Sequence, residues 1–214
     1  MRDVILAHGL WVPGLVMQPL AARLARAGFR CHNFSYMGAG RPLAAHAERL
    51  ARFAGQIGPA HFVGHSLGGL VILEALRREA GTAAGRVVLL GTPVNGCYAA
   101  RRFASYPGGR WFLGASEELW RERHPDGREG RGARWIRPEA LGVVAGTLPL
   151  GLGRLFGALP GVNDGVVRLE ETEVEGMADR IALPVGHSGM LVSARVAHNV
   201  AAFLDQGRFS AAPR

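Results

Sequence analysis

The sequence predicts an α/β fold: a doubly wound, mostly parallel sheet of about six strands with helices on both faces. Two observations carry that expectation. Short apolar runs alternate with longer stretches of helical periodicity, the pattern that yields a parallel sheet covered by helices, and a glycine closes each helical stretch. A length of 214 residues, 48% of them hydrophobic, suits one well-buried core and is short for two complete domains, so a single domain over 1–214 is expected.

Taken in order, the strand candidates are Val4 to Ala7, Arg30 to Phe34, His61 to Gly64, Arg86 to Leu90, Gly142 to Ala145 and Arg180 to Val185. The helical patterns between and after them run from Gln18 to Ala27, stopped by Gly28, and from Pro42 to Gln56, stopped by Gly58-Pro59. They continue from Gly68 to Arg78, stopped by Gly81, and from Ser188 to Gln206, stopped by Gly207. One interval breaks the rhythm. From about 95 to 138 no strand is expected, and the stretch holds Trp111, Phe112, Trp120, Trp135 and the polar run Glu122 to Arg134. An excursion of that length inside a compact fold reads as a cap or lid. Leu148 to Val162, rich in Gly and Leu, is a second irregular stretch.

Charge and cysteine content exclude more than they suggest. The formal net charge is +8, and all 25 basic residues are arginines, because the chain has no lysine. They are scattered along the chain, apart from Arg101-Arg102 and the stretch Arg121 to Arg137, so a solvated surface is expected and no nucleic-acid partner. Cys31 and Cys97 form neither a disulfide framework nor a metal-ligand spacing. The apolar run near the N-terminus is too short for a signal peptide, and no stretch of eighteen apolar residues provides a transmembrane segment. A cytoplasmic location is the expectation that follows.

The chemistry concentrates in FVGHSLGG, residues 62–69. A buried strand ends at Gly64, a helix begins at about Leu67, and Ser66 occupies the sharp turn between them. Such a turn strains the backbone of the serine and leaves no room for bulky side chains two residues to either side, where Gly64 and Gly68 stand. It lifts the hydroxyl above the carboxyl ends of the strands, at a helix N-terminus that favours developing negative charge. G-x-S-x-G in this setting is a nucleophile elbow.

With HGLW at 8–11, GHSLGG at 64–69, NDGVV at 163–167 and HSGML at 187–191, the chain resembles the α/β-hydrolase superfamily, and within it a short form of the bacterial lipase and esterase branch. The resemblance spans nearly the whole chain and implies an α/β-hydrolase fold. A serine needs a base to take its proton and an acid to orient that base. The order implied by the resemblance, nucleophile, acid, histidine, restricts the base to His187 or His198, since His124 precedes the candidate acids. His198 lies inside the amphipathic pattern that ends at Gln206, where packing is the simpler role. His187 sits between the last strand and that helix and matches HSGML.

Four acids compete. Asp164, in the turn Asn163-Asp164-Gly165, matches the acid loop of the family, although it stands well after Gly142 to Ala145, where many relatives place the acid almost at once. Its alternative role is an ordinary β-turn. Asp179 opens the last strand and would lie at its N-terminal end, away from the elbow, whereas Glu170 and Glu171 belong to LEETEVEG, read as a solvated edge. Asp164 is preferred.

The resemblance assigns the oxyanion hole to the backbone N–H groups of Leu10 and Leu67, with His8 shaping the first of these loops. Trp11 and His65 are candidates for substrate contact. The expected activity is hydrolysis of a carboxylic ester, of lipid-like or otherwise hydrophobic acyl character, through an acyl-enzyme, with no cofactor and no metal. Two alternatives remain open: an acyltransferase using the same three residues, and a non-catalytic ligand-binding protein on the same scaffold.

Overall fold

A computed structural model of the chain describes residues 1–10, 12–37, 41–79, 84–113, 134–150 and 159–210. Its centre is a six-stranded parallel sheet in the order β2-β1-β3-β4-β5-β6. The strands are β1 (Asp3–Ala7), β2 (Arg30–Phe34), β3 (Ala60–His65), β4 (Ala84–Leu90), β5 (Leu141–Gly146) and β6 (Asp179–Leu183). Each overlaps its expected run almost residue for residue. The helices are α1 (Gln18–Arg26), α2 (Leu43–Ile57), α3 (Leu67–Arg78), α4 (Tyr98–Ala104), α5 (Gly109–Leu113) and α6 (Ala194–Gln206).

The strands read as near-continuous apolar runs because both faces of the sheet are covered. Successive side chains point to opposite faces, and the core divides accordingly. Ile5, Phe62, Val87, Leu89 and Val143 pack with Leu50 of α2 and Leu70 of α3. Val4, Leu6, Val63, Val88 and Val144 pack with Leu20 and Leu24 of α1 and Val200 and Phe203 of α6. All of these side chains are excluded from solvent, and each contributes roughly 1.5–3 kcal/mol by leaving water. This two-sided core holds the carboxyl ends of the strands in a fixed row.

Two boundaries differ from the sequence reading. The last strand ends at Leu183, because Pro184 has no N–H to continue the ladder. The stretch from Ser188 to Gln206 is two elements. A 3-10 turn covers Ser188–Leu191, the chain extends at Ser193, and the Ser193 hydroxyl accepts from the Val196 N–H to cap α6.

In the interval 95–138, α4 and α5 are followed at its far end by a bridge between Arg134 and Glu175. Trp111 is 80% exposed, whereas the Trp135 indole packs on the core and donates to the Glu139 carbonyl. Trp11, Trp120, His124 and most of the polar run Glu122 to Arg134 lie outside the described residues, as do 151–158 within the second irregular stretch. Among the described residues no helix is long and apolar enough to cross a membrane.

Candidate active site

Ser66 is the turn between β3 and α3. Its φ of 55° and ψ of −123° make it the one non-glycine residue with positive φ among those described. That conformation costs about 1–3 kcal/mol and persists only where the surroundings enforce it. The enforcement is steric. A Cβ at Gly64 would stand 2.5 Å from the Gly69 backbone, and one at Gly68 would stand 2.2 Å from the Ala7 carbonyl oxygen. The Ser66 N–H donates to Leu90 O at 2.9 Å, tying the turn to the end of β4.

Asp164 and His187 meet at the same, carboxyl, end of the strands. His187 Nδ1 lies 2.7 Å from Asp164 Oδ2, and both side chains are buried. The other carboxylate oxygen, Oδ1, accepts from the Val166 and Val167 N–H groups at 2.9 and 2.7 Å. The His187 N–H donates to the Asp164 carbonyl at 2.8 Å, so backbone and side chain hold the same pair together. Burial opposes the charge on Asp164, but the His187 imidazole and the two N–H donors outweigh it, and the carboxyl is held below its usual range.

The long segment between β5 and Asp164 does not carry the carboxylate away from the strand. A methyl group at Gly146, the last residue of β5, would stand 2.7 Å from Asp164 Cβ. The chain leaves β5 and returns to the end of the same strand. Gly91, just beyond β4, is equally close: a Cβ there would stand 2.9 Å from Asp164 Oδ2 and 3.1 Å from His187 Nδ1.

His65 connects this pair to the elbow. Its Nε2 lies 3.0 Å from the His187 carbonyl oxygen and its ring packs at 4.7 Å from the His187 ring, while the next residue is Ser66. Burial, reinforced by the neighbouring His187, pushes the His65 imidazole down to about 3, so it is neutral at ordinary pH. With Nδ1 of His187 committed to Asp164, the ring nitrogen left to act as a base is Nε2.

On the first loop, Gly9 abuts the Ser66 turn: a methyl there would stand 3.2 Å from Ser66 Cβ. Leu10 follows, packed against the core, and Leu67 opens α3. His8, Gly9, Ser66, Gly91, Asp164 and His187 therefore cluster beyond the carboxyl ends of five adjacent strands, β1, β3, β4, β5 and β6. The other candidates lie apart. Asp179 opens β6 and accepts from the Arg180 and Phe209 N–H groups, and exposed His198 contacts the Ser210 hydroxyl.

Glu171 corrects the reading of LEETEVEG as a solvated edge. It is 2% exposed, and its carboxylate accepts from the N–H groups of Tyr98 and Arg168 and from Arg168 Nε. Sequence reasoning also passed over Gly91 and Tyr36, which packs on His8. A glycine directly after the apolar run of β4 was the available signal for the first; for Tyr36 there was none. Among the described residues no group of three or more His, Cys, Asp or Glu side chains is placed to hold a metal ion.

The model of the alpha/beta hydrolase family matches residues 4–164, three quarters of the chain, including Ser66 and Asp164. The chain belongs to this family. Its fold is similar to that of the mature form of the Bacillus licheniformis lipase BlEst2, with a TM-score of 0.68 and 16% identity over 95% of this chain and 91% of that one. It is similar also to the Bacillus subtilis carboxylesterase CesB, with a TM-score of 0.59 and 14% identity over 96% and 84% of the two chains. A pyrethroid hydrolase from Sphingobium faniae JZ-2 gives a TM-score of 0.57 and 16% identity over 96% and 98%. At such identities the likeness is one of fold.

Proposed function

We propose that this α/β hydrolase cleaves carboxylic esters through a covalent acyl-enzyme, with Ser66 as nucleophile, His187 as base and Asp164 as the acid that orients it. The observation that carries this reading is the buried His187–Asp164 pair at 2.7 Å, set through His65 beside a serine held at positive φ.

Ser66 Oγ attacks the ester carbonyl while His187 Nε2 takes the hydroxyl proton. Asp164 holds the ring through Nδ1 and stabilises the imidazolium that forms. The N–H groups of Leu10 and Leu67 bind the oxygen that becomes negative; removal of one such donor typically costs ~10²–10³ in kcat. The imidazolium then protonates the leaving alkoxide, the C–O bond breaks, and the acyl group remains on Ser66. Water, deprotonated by the same Nε2, attacks the acyl-enzyme and releases the carboxylic acid and the free serine. The lipase and carboxylesterase among the similar structures support the ester as substrate.

Hydrolysis of p-nitrophenyl esters from acetate to palmitate by wild type and Ser66→Ala, side by side, tests the proposal. Turnover by wild type and none by Ser66→Ala is expected, with the chain-length optimum measuring the acyl site. Equal rates in the two proteins would overturn it.

A further inference from the structure

The loop that would supply the Leu10 donor is held by a clamp of side chains. His8 is fully buried, with its ring stacked on Tyr36 at 4.4 Å. The Tyr36 backbone N–H donates to His8 Nε2 at 3.2 Å. A ring nitrogen that accepts a hydrogen bond carries no proton, so the neutral imidazole keeps its proton on Nδ1. Nδ1 lies 2.8 Å from the Gly9 carbonyl oxygen and is therefore the donor in that contact. The Tyr36 hydroxyl donates to the His8 carbonyl at 2.7 Å, and Tyr36 is itself wedged between Phe34 and His46.

Two consecutive carbonyls, those of His8 and Gly9, are thus each held by a side-chain donor. No peptide bond among the described residues is cis. In a planar trans amide the N–H points away from the C=O, so fixing Gly9 O fixes the opposite direction of the Leu10 N–H. Gly9 itself lies against Ser66.

We infer that His8 and Tyr36 are positioning residues that aim the Leu10 N–H at the oxyanion: His8 Nδ1–H holds the Gly9 carbonyl, and the Tyr36 N–H selects the tautomer that makes this possible. The inference rests on the ester-hydrolase reading above.

Two substitutions at one site separate aiming from packing. In His8→Asn the amide nitrogen occupies the place of Nδ1 and still reaches Gly9 O; in His8→Gln, which fills more of the ring's volume, it moves to the place of Nε2 and does not. Aiming predicts that His8→Gln loses ~10²-fold in kcat with little change in KM, the cost of a misdirected oxyanion donor. His8→Asn should stay within ~10-fold of wild type, the cost of one ordinary hydrogen bond. Equal losses, or a better His8→Gln, would overturn the inference.

Tyr36→Phe is the second variant should His8→Gln fail to fold: a kcat lower by ~3–10-fold at unchanged KM is expected from the lost hydroxyl bond, and full wild-type kcat would count against the clamp. In wild type, ¹⁵N resonances of His8 should report protonated Nδ1 and bare Nε2, and the opposite tautomer would contradict it. Wild type that hydrolyses esters while His8→Asn and His8→Gln are indistinguishable defeats the clamp alone. Wild type that neither hydrolyses esters nor reacts at Ser66 with a fluorophosphonate defeats the ester-hydrolase reading, and the clamp with it.

Discussion

Asp164 and Glu171 belong to the same loop and are buried alike, at 1% and 2% exposure, and each accepts two backbone N–H groups. They differ in the third partner. Asp164 faces the His187 imidazole, whereas Glu171 faces the Arg168 guanidinium, itself laid over the Tyr98 ring. A guanidinium is a fixed cation, whereas an imidazole can act as a base. Identical satisfaction of a carboxylate therefore yields a structural tie in one place and, in the proposed mechanism, the orienting half of an acid–base pair in the other.

The sharpest way to break this comparison is to neutralise each carboxylate in turn. Asp164→Asn keeps the shape but disturbs the tautomer of His187, so kcat on an ester substrate should fall by ~10⁴; a loss below tenfold would place the acid elsewhere. Glu171→Ala should show the reverse pattern. It leaves Arg168 without its buried partner and should lower stability by about 3 kcal/mol, a fall in Tm of roughly 6–12 °C for a chain of this size. Its activity per folded molecule should stay near wild type. Calorimetry combined with active-site titration distinguishes the two results.

These two carboxylates also mark the boundary of what the sequence could reveal. The elbow was legible because only glycine tolerates the contacts at 64 and 68, so the constraint is written in residue identity. The strands were legible because burial on both faces leaves continuous apolar runs. The burial of Glu171 was not, since one of its donors, the Tyr98 N–H, comes from a distant element and no local spacing records it. The return of Asp164 to the end of β5 was hidden in the same way: it depends on a close approach to Gly146 across an irregular segment. The overrun of β6 past Pro184 was a different kind of error, because the residue that ends the strand was in plain view.

Protonation sharpens the comparison at a smaller scale. His65 is neutral when folded, whereas an unfolded chain takes up a proton there once the pH drops below about 6.5. Its contribution to stability is therefore full above that value and is lost as pH falls toward about 3, at up to about 1.4 kcal/mol per pH unit. Asp164, with its carboxyl held low, keeps its contribution above the ordinary carboxylate range and loses it as pH falls below that range. Urea unfolding between pH 7 and 4.5 should show wild type weakening more steeply than His65→Asn, by about one proton; parallel curves would contradict the buried, neutral assignment. The smallest expected effect is at His198, which is exposed and in contact with the Ser210 hydroxyl. His198→Ala should leave kcat within about twofold of wild type, as surface changes away from a site do, and a large loss would reopen the choice between His198 and His187.

In the proposed mechanism Ser66 is a nucleophile activated by His187 and Asp164. Its most direct test is intact-mass analysis and peptide mapping of the protein after brief exposure to a fluorophosphonate, in wild type, Ser66→Ala and Asp164→Asn. A single adduct on the peptide carrying Ser66 is expected in wild type, with none in Ser66→Ala and a slow reaction in Asp164→Asn. An adduct on another residue, or an equal rate of labelling in Asp164→Asn, would contradict it.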